Sequence, residues 1–103
     1  MMQMKTTGEI LLTKPANLFR GMEAVGGKLK ITGDRVIFNA TRLNVQRDSL
    51  EIPMSDIQEV ERRNTLRIVP NGITIKLRSG KEYRFVIKDR DQVIELIHNK
   101  IGK

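Results

Sequence analysis

The stretch Lys28-Leu-Lys-Ile-Thr-Gly-Asp-Arg-Val-Ile-Phe38 decides the fold class, because apolar and polar side chains alternate on both sides of a turn signal. A two-residue turn at Gly33-Asp34 brings the apolar side chains of both arms onto one face of an antiparallel hairpin. The stretch therefore predicts a β-sheet with one buried face. The predicted inward pairs are Ile31 with Val36 and Leu29 with Phe38.

Two adjacent glycines upstream predict a second hairpin turn. Gly26 and Gly27 can both adopt positive φ without a Cβ clash, so the segments before and after them are expected to pair. This register places Glu23 opposite Lys30 as an ion pair and leaves Lys28 without a partner.

The first strand is predicted over residues 9–12. Pro15, which has no backbone N–H to donate to a neighbouring strand, is expected to lie in the turn that follows it.

Downstream, short apolar segments alternate with turn residues, which is the pattern of an antiparallel sandwich or barrel. Asn71-Gly72 is the strongest hairpin signal and predicts that residues 66–69 pair with residues 73–77. The last strand, residues 81–87, follows a three-residue loop that places Gly80 in the left-handed region. In the segment before Asn71-Gly72, core contacts are predicted at Ile52, Ile57 and Val60.

One helix is predicted after these strands. Asp89 with Gln92 resembles a capping box at its start, and Gly102 stands where a helix ends. The apolar side chains recur at helical spacing, so this face must pack against the sheet. They are Val93, Leu96, Ile97 and Ile101.

The chain of 103 residues is long enough for one hydrophobic core and too short for a second domain. We expect residues 1–7 to be a flexible N-terminus and residues 8–103 to form a single domain. The absence of Cys excludes disulfides, thiol nucleophiles and iron–sulfur clusters. The uninterrupted apolar runs are far too short for a transmembrane segment.

The net charge of +7 lies in one segment. Residues 62–90 contain nine Lys or Arg against two Asp or Glu, whereas the rest of the chain is neutral. In the predicted register, Arg67 lies opposite Lys76 on the outward face of the last three strands. This face is either solvated for solubility or turned towards an anionic ligand. The candidate ligand-binding residues are Arg67, Lys76, Arg78, Arg84 and Lys28.

Three strings in this order resemble a GRAM domain. They are Gly27-Lys-Leu-Lys-Ile-Thr32 leading into Arg35-Val-Ile-Phe38, Ile52-Pro-Met-Ser-Asp56-Ile57, and Gly80-Lys-Glu-Tyr-Arg-Phe85. The similarity covers residues 9–85, and with the closing helix it extends to the pleckstrin-homology-like fold. It implies a mainly β domain, a partly open antiparallel barrel or sandwich of about seven strands capped by one C-terminal α-helix. It also implies a binding module, because GRAM domains occur in membrane-associated proteins and are linked to lipid and protein binding.

No catalytic constellation stands out. The single histidine, His98, falls on the last helical turn, where its charged form suits a helix C-terminus. Asp56, Glu59 and Glu61 are acidic neighbours without further metal ligands beside them. We therefore expect no enzyme activity, no cofactor and no bound metal.

The leading hypothesis is a non-enzymatic cytoplasmic module that binds anionic membrane lipid headgroups weakly, as a peripheral contact at the inner membrane surface. The alternative is a protein-interaction domain that binds a peptide or partner at a sheet edge and has no lipid role. Nucleic acid is disfavoured, because most of the aromatic side chains needed for base stacking point inward in the predicted register.

Overall fold

The computed structural model describes residues 9–41, 49–65 and 69–102, without the side chains of residues 65, 69 and 70. The predicted flexible N-terminus, residues 1–7, lies outside these ranges. The described chain forms seven strands and one helix, with a 3₁₀ turn (Met54–Asp56) between the fourth and fifth strands. The elements are β1 (Ile10–Arg20), β2 (Glu23–Thr32), β3 (Arg35–Ala40), β4 (Ser49–Pro53), β5 (Ile57–Thr65), β6 (Val69–Leu77), β7 (Glu82–Ile87) and α1 (Arg90–Ile101).

The strands form one antiparallel sheet in the order β4-β3-β2-β1-β7-β6-β5. β1 joins its two halves: it pairs with β2 from Ile10 to Arg20, but with β7 only from Ala16 to Phe19. The edge strands β4 and β5 are linked by the 3₁₀ turn. The expected mainly β fold is confirmed as an open sheet of seven strands with one C-terminal helix.

The core lies between the inward faces of the two half-sheets and α1. Phe38 of β3 and Phe85 of β7 are three strands apart in the sheet order, yet their ring centroids are 5.6 Å apart. The sheet is therefore bent until strands of opposite halves touch. Val93, Ile94 and Ile97 of α1 are buried in the same core.

The β2–β3 hairpin is confirmed, with its turn at Gly33-Asp34. Thr32 holds this turn, because its hydroxyl donates to Asp34 Oδ1 at 3.0 Å and accepts the Arg35 N–H at 3.1 Å. The Thr32 hydroxyl, followed by the Arg35 side chain, holds the pKa of the Asp34 carboxyl below its usual value. The two predicted inward pairs, Ile31 with Val36 and Leu29 with Phe38, are both present.

The predicted turn at Gly26-Gly27 is wrong. Both glycines lie inside β2, and the chain turns earlier, where Gly21 has φ +62°. Gly27 serves close packing instead of a turn: a Cβ at this position would collide with the Asn39 carbonyl oxygen and lie 2.7 Å from Phe38 Cζ.

The predicted end of the first strand at residue 12, with Pro15 in the turn that follows, is also wrong, because β1 continues to Arg20. Pairing of β1 with β7 begins only at Ala16, so β1 has one paired neighbour at Pro15 and tolerates a residue without an N–H. The longer strand changes the register of β2. Glu23 lies opposite Arg20, so the predicted pairing of Glu23 with Lys30 is wrong.

The predicted hairpin at Asn71-Gly72 is wrong for a related reason. β6 runs straight through both residues and pairs with β5 on one side and β7 on the other, so the strand stays extended there. The predicted pairing of Arg67 with Lys76 fails with it, because Lys76 lies opposite Glu59 and Glu82. Arg67 itself lies outside the described residues.

The β6–β7 turn is confirmed. Its loop consists of residues 78–80, with Gly80 at φ +98° and its N–H donating to the Leu77 carbonyl at 2.9 Å. Beyond the loop, Tyr83 lies opposite Ile75. In this register Phe85 and Ile87 of β7 are buried in the core.

The predicted helix is present, and Gly102 ends it at φ +81° with its N–H bonded to the His98 carbonyl. The predicted side-chain cap at Asp89 is wrong. Asp89 adopts a left-handed conformation, φ +56°, instead of the extended one that a capping side chain requires. Its carboxylate instead lies 3.5 Å from Lys14 Nζ on β1.

Candidate anion-binding face

Lys76 is enclosed by acidic side chains on the outer face of β6. It lies opposite Glu59 on β5 and Glu82 on β7, and its Nζ is 3.3 Å from Glu61 Oε1. Carboxylates on both sides offset its charge, so little attraction remains for a further anion. Lys76 is therefore an ion-paired residue.

Arg78 connects two turns. Its Nε donates to the Ser55 carbonyl at 3.0 Å, and its backbone N–H donates to the Asp56 carbonyl at 2.9 Å. Ser55 and Asp56 belong to the 3₁₀ turn, so Arg78 ties the β6–β7 turn to the link between the two edge strands. The Nε of its guanidinium is therefore used in a structural hydrogen bond.

Lys28 and Arg84 lie on the outer face with exposed side chains. Neither side chain forms a hydrogen bond or ion pair within the described ranges. No acidic residue lies directly opposite either of them, although the row of Arg84 continues through Thr74 to Glu61. Their cross-strand neighbours are Phe19 and Thr74 for Arg84, and Pro15 and Asn39 for Lys28.

Two further cations share this face. Lys88 directly follows β7 and comes next to Pro15, because β1 and β7 pair with Ala16 opposite Ile87. Arg63 lies on β5 and is exposed. Its cross-strand row is free of acidic residues and continues through Gly72, Val86, Asn17 and Gly26. We call the four exposed cations the outer basic band: Lys28, Arg63, Arg84 and Lys88.

Two residues of the outer basic band, Lys28 and Lys88, line a shallow depression of about 520 Å³ together with Asn17, Gly26 and Val86 among others. Gly26 has no side chain and therefore does not fill this depression. A Cβ at this position would lie only 3.2 Å from Asn17 Oδ1. β1 alone separates the strands of Lys28 and Lys88, so their backbones lie about 10 Å apart. An anionic group on this depression would have a lysine on either side.

The sequence reasoning named Lys28 but did not connect it with Lys88, and it did not single out Arg63. A signal for Lys88 exists, because period-two alternation in β7 places it on the same face as Arg84. The missing information is that β1 lies between Lys28 and Lys88. Alternation within a strand does not encode which distant strand becomes its neighbour.

Two other arginines on the described surface are held by carboxylates. Arg35 Nη1 lies 2.7 Å from Glu51 Oε1, and Arg62 Nε lies 2.9 Å from Asp91 Oδ1. The hydrogen bond to Glu51, followed by the one to Asp34, raises the pKa of Arg35 above its ordinary value. Such pairs offset charge locally. Among the described residues, the four cations of the outer basic band have no such ion-pair partner.

His98 fastens α1 to the edge of the sheet. Its Nε2 lies 3.1 Å from both Glu59 Oε2 and the Val60 carbonyl oxygen on β5. Because the carbonyl can only accept, Nε2 carries the proton and donates to both oxygens. The adjoining groove of about 600 Å³ is lined by Arg62, Asp91 and His98 among others. These contacts explain His98 as a docking residue of the helix.

Among the described residues, no group of three or more His, Asp or Glu side chains gathers in a way that could hold a metal ion. The same part of the chain contains no helix whose length and apolar character would let it cross a membrane.

Solved structures with this fold are numerous. The C-terminal domain of an unknown protein from Leishmania infantum superposes with a TM-score of 0.81 at 18% identity, covering 93% of this chain and 86% of that one. The Vps36 N-terminal PH domain gives 0.74 at 11% identity, covering 97% and 83%. The N-terminal PH domain of human ARAP2 gives 0.72 at 13% identity, covering 96% and 84%. At these identities the likeness establishes a pleckstrin-homology-like fold.

No curated protein matches the sequence at a significant level. The family model of the GRAM domain, in contrast, matches residues 2–101. That match spans all seven strands and α1, including the three strings that resemble the family. The chain therefore belongs to the GRAM domain family.

Proposed function

We propose that this domain binds anionic membrane lipid headgroups reversibly through the outer basic band. The observation that carries the proposal is the grouping of Lys28, Arg63, Arg84 and Lys88 on one outer face, without a described ion-pair partner. Two of the cross-strand rows that carry them contain no acidic residue. Of the candidates from the sequence, Lys28 and Arg84 belong to this band.

The strength of such binding follows from the number of cations. Each Lys or Arg near an anionic leaflet contributes about 1 kcal/mol, so four give an attraction of about 4 kcal/mol. This attraction falls as salt screens it. We therefore expect a peripheral, salt-sensitive contact at the cytoplasmic leaflet, without an enzymatic step and without a cofactor.

The alternative function, binding of a peptide strand at a sheet edge, is supported at one edge only. Along β5, side chains of α1 already contact two backbone carbonyls, because His98 donates to that of Val60 and Arg90 donates to that of Arg63. β4 has a single neighbour, β3, and forms the other edge. It is only five residues long and ends at Pro53, which has no N–H. A partner strand could therefore form only a few backbone hydrogen bonds with it.

Co-sedimentation with vesicles tests the proposal. The domain is expected to bind vesicles of phosphatidylcholine mixed with phosphatidylserine, and not vesicles of phosphatidylcholine alone, with binding that falls as salt rises. Lys28→Glu and Lys88→Glu should each weaken binding about tenfold or more, since each removes one cation and adds one anion near the leaflet.

Lys100→Glu is the matched control, because it changes the net charge equally at an exposed position on α1. It should retain nearly all binding. Equal losses in Lys100→Glu and Lys28→Glu would show that only net charge matters. Indifference of the wild-type domain to lipid charge would exclude the proposed function, and a partner captured at high salt would favour the β4 edge.

A further inference from the structure

We propose that a pocket at the C-terminal end of α1 binds a phosphorylated side chain of a partner protein. The pocket lies where the β2–β3 turn, the 3₁₀ turn after β4, the start of the β6–β7 loop and the last turn of α1 meet. Its volume is about 400 Å³. We call it the corner pocket; its lining includes Asp34, Met54, Ser55, Arg78, Lys100 and Ile101.

The corner pocket is separate from the outer basic band. Lys88 comes just before α1, whereas Lys100 is in its last turn, so most of the helix, which is about 18 Å long, lies between them. α1 also packs against the inner face of the sheet, and the outer basic band lies on the other face. The corner pocket is therefore a second site, and this inference does not rest on the proposed function.

Two cations with unused donors line the corner pocket. The hydrogen bond from Arg78 Nε to the Ser55 carbonyl orients the guanidinium, and within the described ranges neither Nη nitrogen has a partner. The Lys100 ammonium is exposed and has no partner in the same part of the chain. The end of a guanidinium offers two parallel N–H donors that match two phosphate oxygens, and a lysine adds a point charge.

One carboxylate, that of Asp34, also lines the corner pocket, and its charge is already offset. Its Oδ1 accepts the Thr32 hydroxyl at 3.0 Å and lies 3.4 Å from Arg35 Nε. The two other charged residues among the described lining, Arg78 and Lys100, are cations. The corner pocket therefore favours an anion.

The exposure of the lining indicates what carries the anion. Met54 is buried and Ile101 half-buried, so the floor is apolar, whereas the charged and polar lining residues are exposed. A small free molecule would remain largely in water here, although sites for small molecules usually enclose most of their ligand. A phosphate carried by a larger partner gains further contacts beside the pocket.

A strand edge beside the corner pocket suits a peptide as that partner. β4 ends at Pro53, and the next two residues, Met54 and Ser55, line the pocket. Within the described sheet, β4 is an edge strand with β3 as its single neighbour. A peptide strand that pairs with β4 would bring a following side chain to Arg78 and Lys100. Because β4 offers only a few backbone hydrogen bonds, the phosphate contacts would complete the binding.

NMR titration tests the site with a defined probe, N-acetyl-O-phosphoserine N-methylamide. Saturable shifts are expected for the backbone amides of Ser55, Arg78 and Lys100, and none with the unphosphorylated probe. Lys100→Gln should weaken binding about tenfold, because one charge-assisted contact is lost. The control is Arg62→Gln, which removes the same charge at an exposed position near the other end of α1 and should bind as the wild type does.

Fluorescence anisotropy with two labelled peptide pools tests the kind of partner. Both pools randomise the positions around a fixed central residue, which is phosphoserine in one pool and serine in the other. The phosphoserine pool should bind more tightly than the capped phosphoserine and the serine pool should not bind. Arg78→Gln and Lys100→Gln should each lose about tenfold. Lys100 lies exposed on the helix, so its replacement leaves the fold intact even if Arg78→Gln loosens the 3₁₀ turn.

Three results would overturn the inference. Inorganic phosphate that binds as tightly as the phosphoserine pool would assign the pocket to free phosphate. Shifts at Lys28 and Lys88 in place of the pocket amides would assign the probe to the outer basic band. Vesicle binding that falls in Lys100→Gln would place the pocket against a membrane. If the domain binds no vesicle in any condition, the proposed function fails while the phosphopeptide result stands.

Discussion

Gly27 shows how a single missing side chain allows the close approach of two strands, β2 and β3. It is buried in β2, and a Cβ at this position would collide with the Asn39 carbonyl and lie 2.9 Å from Ala40 Cα. Two of these obstacles are backbone atoms of β3, which cannot move without breaking the ladder between β2 and β3. From the sequence alone, the same glycine also fits a turn, because glycine satisfies both demands.

Gly27→Ala is therefore expected to destabilise the domain by about 2 kcal/mol or more, as overpacking against fixed backbone does. Urea denaturation followed by circular dichroism measures the change. Gly33→Ala is the control, because a Cβ at Gly33 meets nothing within 4 Å. If both variants unfold at the same urea concentration, Gly27 is not a close-packing position.

Met22 and Phe19 illustrate the opposite situation at the same scale. Neither has a packing role in the core, since both are exposed on or near the β1–β2 turn. The turn predicted at Gly26-Gly27 would have placed Met22 in the strand that precedes it. The true turn at Gly21 moves Met22 to the tip.

At the scale of elements, α1 and β5 depend on each other. The Arg90 guanidinium Nη1 donates to the Arg63 carbonyl at 2.9 Å, to Asn64 Oδ1 at 3.2 Å and to the Gly72 carbonyl at 3.2 Å. The first turn of α1 is thereby tied to both β5 and β6. The helix also prevents the edge of β5 from pairing with another chain.

Arg90→Lys is expected to cost about 1.5 kcal/mol of stability, because a lysine ammonium lacks the planar fork that reaches acceptors on two strands. Thermal unfolding provides the measurement. Arg62→Lys serves as the comparison: Arg62 pairs with Asp91 in an exposed position, and its replacement should cost at most about 0.5 kcal/mol. Similar losses in both variants would contradict a special role of the Arg90 contacts.

Element boundaries followed from the sequence where one local signal dominated. The β2–β3 turn, the three-residue loop before β7 and the end of α1 at Gly102 were all predicted. Boundaries failed at Pro15, Gly26-Gly27 and Asn71-Gly72, where residues typical of turns lie within long strands. In each case strand pairing with distant segments outweighed the local preference.

At the scale of the whole molecule, β1 is the strand that joins the two half-sheets. Its short pairing with β7, from Ala16 to Phe19, brings Lys28 and Lys88 onto one surface although 60 positions separate them. The bend that accompanies it also brings Phe38 and Phe85 into contact across the core. The outer basic band and the core therefore depend on the same closure.

The contact between the two rings can be measured by a double-mutant cycle. Phe38→Leu and Phe85→Leu should each destabilise the domain, and the double variant should lose less than the two single losses together. The expected coupling is about 1 kcal/mol, as for other tilted aromatic pairs. Additive losses would mean that the two half-sheets are stabilised independently. Urea denaturation of the four proteins gives the coupling energy.

The sequence by itself determined the mainly β class, the closing helix, the inward pairs of the β2–β3 hairpin and the GRAM resemblance. These follow from alternation, helical spacing and turn residues, which act between near neighbours in the chain. Only the tertiary structure decided the strand order, the extended state of Gly26-Gly27 and Asn71-Gly72, and the grouping of Lys28 with Lys88. Those features arise from contacts between segments far apart in sequence, whose free energy exceeds local preferences that point elsewhere.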